Sequence, residues 1–77
     1  MITYIAEFTA VHKIIQIVQH SVFTWRQEGG EIDRDLLEGK IKRESSIHFY
    51  RLLAGKNYEV QLEDISVNVN KTALFSD

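Results

Sequence analysis

Residues 10–27 read AVHKIIQIVQHSVFTWRQ, and whether this stretch winds or extends decides the fold. At about 100° per residue, Ala10, Val11, Ile14, Ile15, Val18, Val22 and Trp25 fall on one broad stripe. His12, Gln16, Gln19, His20 and Gln27 fall on the other side. The pattern predicts a long amphipathic helix over 10–27, capped by Thr9 and closed by Gly29 or Gly30. Ile17 lies at the edge of the stripe and Phe23 points into the polar side. Phe23 is then either an ordinary exposed apolar residue or a contact for another chain.

Upstream, Ile2, Tyr4, Ala6 and Phe8 alternate in ITYIAEF, residues 2–8, and predict a strand. Downstream, EGGE (28–31) is the clearest break. Residues 33–43 predict a short helix capped by Asp33, with Leu36, Leu37 and Ile41 on its apolar edge. In residues 46–54, SIHFYRLLA, the apolar positions scatter round a helical wheel, whereas Ile47, Phe49 and Leu53 share one face of a strand. The expected arrangement is a hairpin: strand 46–53, turn AGKN at 54–57, strand 58–70. In the last of these the apolar set shifts from even positions (Tyr58, Val60, Leu62) to odd ones (Ile65, Val67, Val69) at Glu63-Asp64. A one-residue slip reverses every later side chain, so a bulge or a tight turn belongs there. The tail from Asn70 reads as irregular, with Leu74 and Phe75 able to dock on the sheet. The expected fold is a small two-layer α+β domain of order β-α-α-β-β, a short antiparallel sheet packed on one long amphipathic helix.

The 77 residues suit one domain, and their 44% hydrophobic content suits a globular chain. A domain of this size buries only about 60% of its unfolded surface, so added burial from a second copy or a partner has value. There is no cysteine, which removes disulfides and thiolate metal sites. The net charge of −2 lacks the basic excess of non-specific nucleic-acid binders. Glu7, His12 and Lys13 interrupt the apolar start, so neither a secretory signal nor a spanning helix is expected, and the chain reads as cytoplasmic.

Chemistry-bearing motifs are sparse. His12 and His20 stand on different faces of the expected helix, and no cofactor or metal ligand set is evident. No serine sits in a glycine-flanked elbow, and Glu59, Glu63 and Asp64 read as a solvated strand edge, so an enzyme is not expected. EGGE has acids where a phosphate loop needs donors. Lys40, Lys42, Arg43 and Arg51, interleaved with Phe49 and Tyr50, supply a candidate basic patch for nucleic acid.

The stretch LLAGKNYEV, Leu52 to Val60, resembles the first inhibitory hairpin of the cystatins. Arg51 stands for the family's Gln, Leu53 for its Val and Gly55 for its Gly, followed by Asn57-Tyr58. The resemblance implies a sheet wrapped on one helix and a wedge loop, Leu53, Ala54, Gly55, Lys56 and Asn57, that plugs a papain-like protease cleft. The leading expectation is nonetheless a non-catalytic regulator or adaptor that binds another protein, a second copy of itself included. Its expected contacts are Phe23, Trp25 and Tyr50, since aromatic side chains dominate interface energetics. Nucleic-acid binding and protease inhibition are the alternatives.

Overall fold

The computed structural model describes residues 1–53 and 59–75. Strands β1 (Ile2–His12) and β2 (Val18–Gln27) are followed by helix α1 (Arg34–Leu52), a 3-10 turn (Leu62–Asp64) and strand β3 (Ile65–Leu74). The sheet is antiparallel with order β2-β1-β3. The α+β class stands, but the order is β-β-α-β with a single α-helix among the described residues, not β-α-α-β-β.

The largest correction falls on residues 10–27, which form a β-hairpin rather than a helix. The stretch is rich in valine, isoleucine and threonine, whose branched side chains lose freedom in a helix and pack well on a pleated surface. The turn at 13–17 is closed by His12 N–H donating to the Ile17 carbonyl at 2.9 Å and Gln16 N–H donating to the His12 carbonyl at 2.8 Å. Gln16 takes the left-handed conformation, φ 56°, that glycine or asparagine more often occupies. Hence no sequence signal announced this turn.

The second correction joins two expected elements. The expected short helix 33–43 continues to Leu52 and absorbs the expected strand 46–53. Asp33 caps it as anticipated, its Oδ1 accepting from Leu36 N–H at 3.1 Å. Leu37, Ile41, Ser45 and Phe49 form a buried file at a spacing of four along α1. Neither glycine nor proline breaks the run from Lys40 to Leu52, so the helix propagates until Leu53 N–H bonds back to the Phe49 and Tyr50 carbonyls. The expected turn at 54–57 and Tyr58 lie outside the described residues, and the following strand starts at Ile65, since residues 59–61 are irregular and 62–64 form the 3-10 turn.

The step at Glu63-Asp64 is a tight turn: the 3-10 segment delivers the chain into β3 at Ile65. A bulge does occur, but farther on. Phe8 pairs with Val69 and Glu7 with Lys71, leaving Asn70 as the extra residue. Residues 70–74 belong to β3 rather than to an irregular tail, and Phe75 N–H donates to the Thr3 carbonyl at 2.9 Å.

The core lies between α1 and the inner face of the sheet. Tyr4, Ala6, Phe8, Ala10 and His12 of β1 are buried there, with Ile65 and Val69 of β3. Ala6 and Ala10 keep that face low enough for the helix to settle over β1 and β3. His12, assigned by the helical wheel to a polar face, is buried. Its Nδ1 accepts from Ile14 and Ile15 N–H at 3.3 and 3.4 Å, and its ring meets Phe49 edge-on at 6.2 Å.

Two substitutions test this packing by urea unfolding. Phe49→Ala should cost about 3–5 kcal/mol, since the ring is fully buried in the file. Gly39→Ala should add about 0.5–1 kcal/mol, because a Cβ there meets nothing within 4 Å and helical glycine is entropically unfavourable.

Candidate functional site

Because α1 sits over β1 and β3, the inner face of β2 is only partly covered. The uncovered strip is a groove of about 400 Å³, floored by Phe8, Gln19, Ser21 and Phe23 and walled on the helix side by Glu44, Ile47, His48 and Arg51. It reaches round the free edge to Val22 and Thr24. A smaller cleft at its other end lies between Trp25 and the helix residues Leu36, Leu37 and Lys40.

Aromatic stacking holds the floor in place. Trp25 stacks on Tyr4 at 5.4 Å between centroids and lies 6.2 Å from Phe23. The Trp25 indole N–H donates to Gln27 Oε1 at 2.9 Å. Gln19 Oε1 is buried in the floor without a donor among the described residues.

The backbone of β2 is equally informative. His12 N–H bonds the Ile17 carbonyl, and hydrogen-bonded pairs alternate along an antiparallel ladder. In the β1–β2 register the odd residues of β2 therefore bond β1. The even ones, Val18, His20, Val22, Thr24 and Arg26, turn their N–H and C=O groups to the free edge. These same residues carry their side chains on the face away from α1, where Val18 and Val22 are 50% and 53% exposed.

That outer face also holds a polar row across all three strands. Thr9 Oγ1 lies 3.2 Å from His20 Nδ1 and accepts from Asn70 Nδ2 at 3.1 Å, while Asn68 Nδ2 donates to Asn70 Oδ1 at 2.7 Å. His12 is in the core, His20 on the outer face and His48 on α1. Among the described residues no group of three or more acids or histidines is placed to hold a metal ion, and no helix is long and apolar enough to cross a membrane.

Of the expected protein contacts, Phe23 floors the groove and Trp25 lines the smaller cleft beside it, both half-buried. Tyr50 does not join them: it is 62% exposed on α1, beside Ser46, Ile47 and Val60. The four bases do not form one patch. Lys40 and Arg51 flank the β2 side of α1, Lys42 lines a separate cavity with Asp35, Glu38 and Glu63, and Arg43 is exposed on α1. Of the expected protease-binding loop, Leu53 caps α1, and Ala54, Gly55, Lys56 and Asn57 lie outside the described residues. Gln19, Ser21 and Val22 were missed because a helical wheel scatters them; the period-two pair Phe23 and Trp25 was the available signal.

These placements separate the three aromatic residues. Trp25→Ala should lower unfolding stability by about 2 kcal/mol through the lost stacking and burial. Tyr50→Ala should change it by less than about 0.5 kcal/mol, as expected for an exposed helix position. Chemical denaturation measures both.

No protein-family model, curated protein or solved structure matches the chain, and the functional reading rests on this geometry.

Proposed function

We propose that the chain is a non-catalytic protein-binding domain, a regulator or adaptor that takes up an extended segment along β2. The observation that supports it most is the coincidence of two features on one strand. The even residues of β2 turn to the sheet edge backbone groups that no strand among the described residues pairs, and the groove beside that edge is floored by Phe23. A strand added antiparallel to β2 would gain main-chain hydrogen bonds from the edge. Its alternate side chains would enter the groove against Phe23 and Ile47, which is how strand addition combines affinity with selectivity. The side chains pointing the other way would meet Val18 and Val22. Residues 18–25 carry no Asp, Glu, Lys or Arg, so the strand sets no charge against an apolar segment.

The site can be tested with short random peptides displayed on phage and panned on the immobilised chain. Selected peptides should show apolar residues at alternate positions and shift the emission of Trp25, the chain's single tryptophan. Val22→Pro removes an edge-facing N–H without taking one from the β1 ladder, and proline is tolerated on an edge in that orientation. It should weaken selected peptides by about tenfold, while Tyr50→Ala leaves them unaffected. Selection of peptides insensitive to Val22→Pro would overturn the assignment to this edge.

A further inference from the structure

We infer that the strand docking on β2 is, in the resting protein, β2 of a second copy, giving a continuous six-stranded sheet across a two-fold axis at Val22. This rests on the strand-addition reading and names the occupant of that site.

The two sheet edges differ in a way that selects β2. Natural edges are blunted by bulges, lysines, proline or covering elements. β3 has a bulge at Asn70 and Lys71 beside it, and α1 covers its flank. β2 runs ten residues in unbroken register, with no proline and no Asp, Glu, Lys or Arg from Val18 to Trp25. An edge so long and unguarded is an open template for pairing.

Symmetry then fixes the register. A two-fold axis normal to the sheet must pair edge-facing residues with edge-facing residues, all of them even in β2. Centring it on Val22 pairs nearly the whole strand. Val22 meets its own equivalent, His20 meets Thr24 and Val18 meets Arg26, so no like charges are opposed. On the inner face each bulky ring meets a smaller neighbour: Phe23 faces Ser21, and Trp25 faces Gln19. Both helices remain on one side, and the two grooves merge.

Charge complementarity is the independent support. Glu44 and Arg51 lie two turns apart on α1, both lining the groove that reaches Val22, with Ile47 and His48 between them. The axis runs α1 antiparallel to its copy across the merged groove. Glu44 of one copy is then set toward Arg51 of the other, and Arg51 toward Glu44, reciprocally. Ile47 is set toward its own equivalent. The helices stand over β1 and β3, so only long side chains such as these reach across.

Sedimentation velocity over a concentration series on the full chain tests the inference, with residue-resolved amide exchange as a second readout. The wild type should form a dimer in which the amides of His20, Val22 and Thr24 are protected. Val22→Lys opposes two lysines at the axis and should raise the dimer Kd about tenfold or more. Glu44→Arg and Arg51→Glu should each weaken the dimer about threefold to tenfold, and their combination should restore it. Both helix positions are exposed, so these variants remain decisive should Val22→Lys fail to fold. A chain that stays monomeric near millimolar concentration, a dimer in which the even β2 amides stay unprotected, or charge swaps without effect would overturn the inference. A monomer that still binds Val22-dependent phage peptides would leave the strand-addition reading standing without the self-pairing. A monomer that binds none would remove both.

Discussion

The contact on which the rest of the molecule depends is that between the inner face of β1 and the file Leu37, Ile41, Ser45 and Phe49 on α1. β1 is the central strand, and its inward residues alternate large and small: Tyr4, Ala6, Phe8, Ala10. The two alanines are fully buried, and Ser45 occupies the matching small position on the helix. Close approach is bought there at the cost of a buried hydroxyl without a partner among the described residues. The helix lies where those small residues permit, over β1 and β3. A single helix lying there leaves one edge of a three-stranded sheet uncovered, and the groove along β2 follows from the packing of the core.

The uncovered strand is held by other means. Its inner face is stiffened by the Tyr4–Trp25–Phe23 stack rather than by the helix, and the indole N–H is satisfied within β2 by Gln27. On the outer face the row His20, Thr9, Asn70 and Asn68 links the strands through side chains that also tolerate water. Asn70 enters that row because the bulge leaves it on the outer face beside Lys71. One irregularity in β3 therefore both disrupts its own ladder and supplies a polar bridge toward β2.

How much of this was legible in the sequence varies by element. The first strand, the Asp33 cap, the inward position of Ile65 and Val69 and the break in alternation at Glu63-Asp64 followed from period-two alternation or capping chemistry, which are local effects; alternation alone left a bulge and a tight turn both open there. The hairpin over 10–27 did not. Its turn uses Gln16 in a left-handed conformation where glycine or asparagine would have been the signal. The continuous helix was obscured for a different reason. Its buried file is one residue wide and includes Ser45, so Ile47, Tyr50 and Leu52 remain exposed and the wheel looks scattered. Among the candidate contacts, Phe23 and Trp25 were identified by residue type, but the groove needs Ser21, Val22, Glu44 and Arg51, brought together by tertiary placement of α1 that no local pattern carries.

The helical pattern over 10–27 and the two-sided apolar surface of β2 share one cause. A spacing of four puts two side chains on one face in a helix and in a strand alike, and Ile14, Val18 and Val22 are spaced by four. Only spacings of two and three discriminate. Val22 to Trp25 favoured the helix, whereas Phe23 to Trp25 favoured the strand. Both patterns coexist because β2 carries large apolar residues on each face: Val18 and Val22 on one, Phe23 and Trp25 on the other. An ordinary edge strand in a two-layer domain has a wet outer face and alternates cleanly. A strand with apolar residues on both faces resembles one covered by a layer on each face. β2 carries part of that pattern, while α1 covers the sheet from one side only.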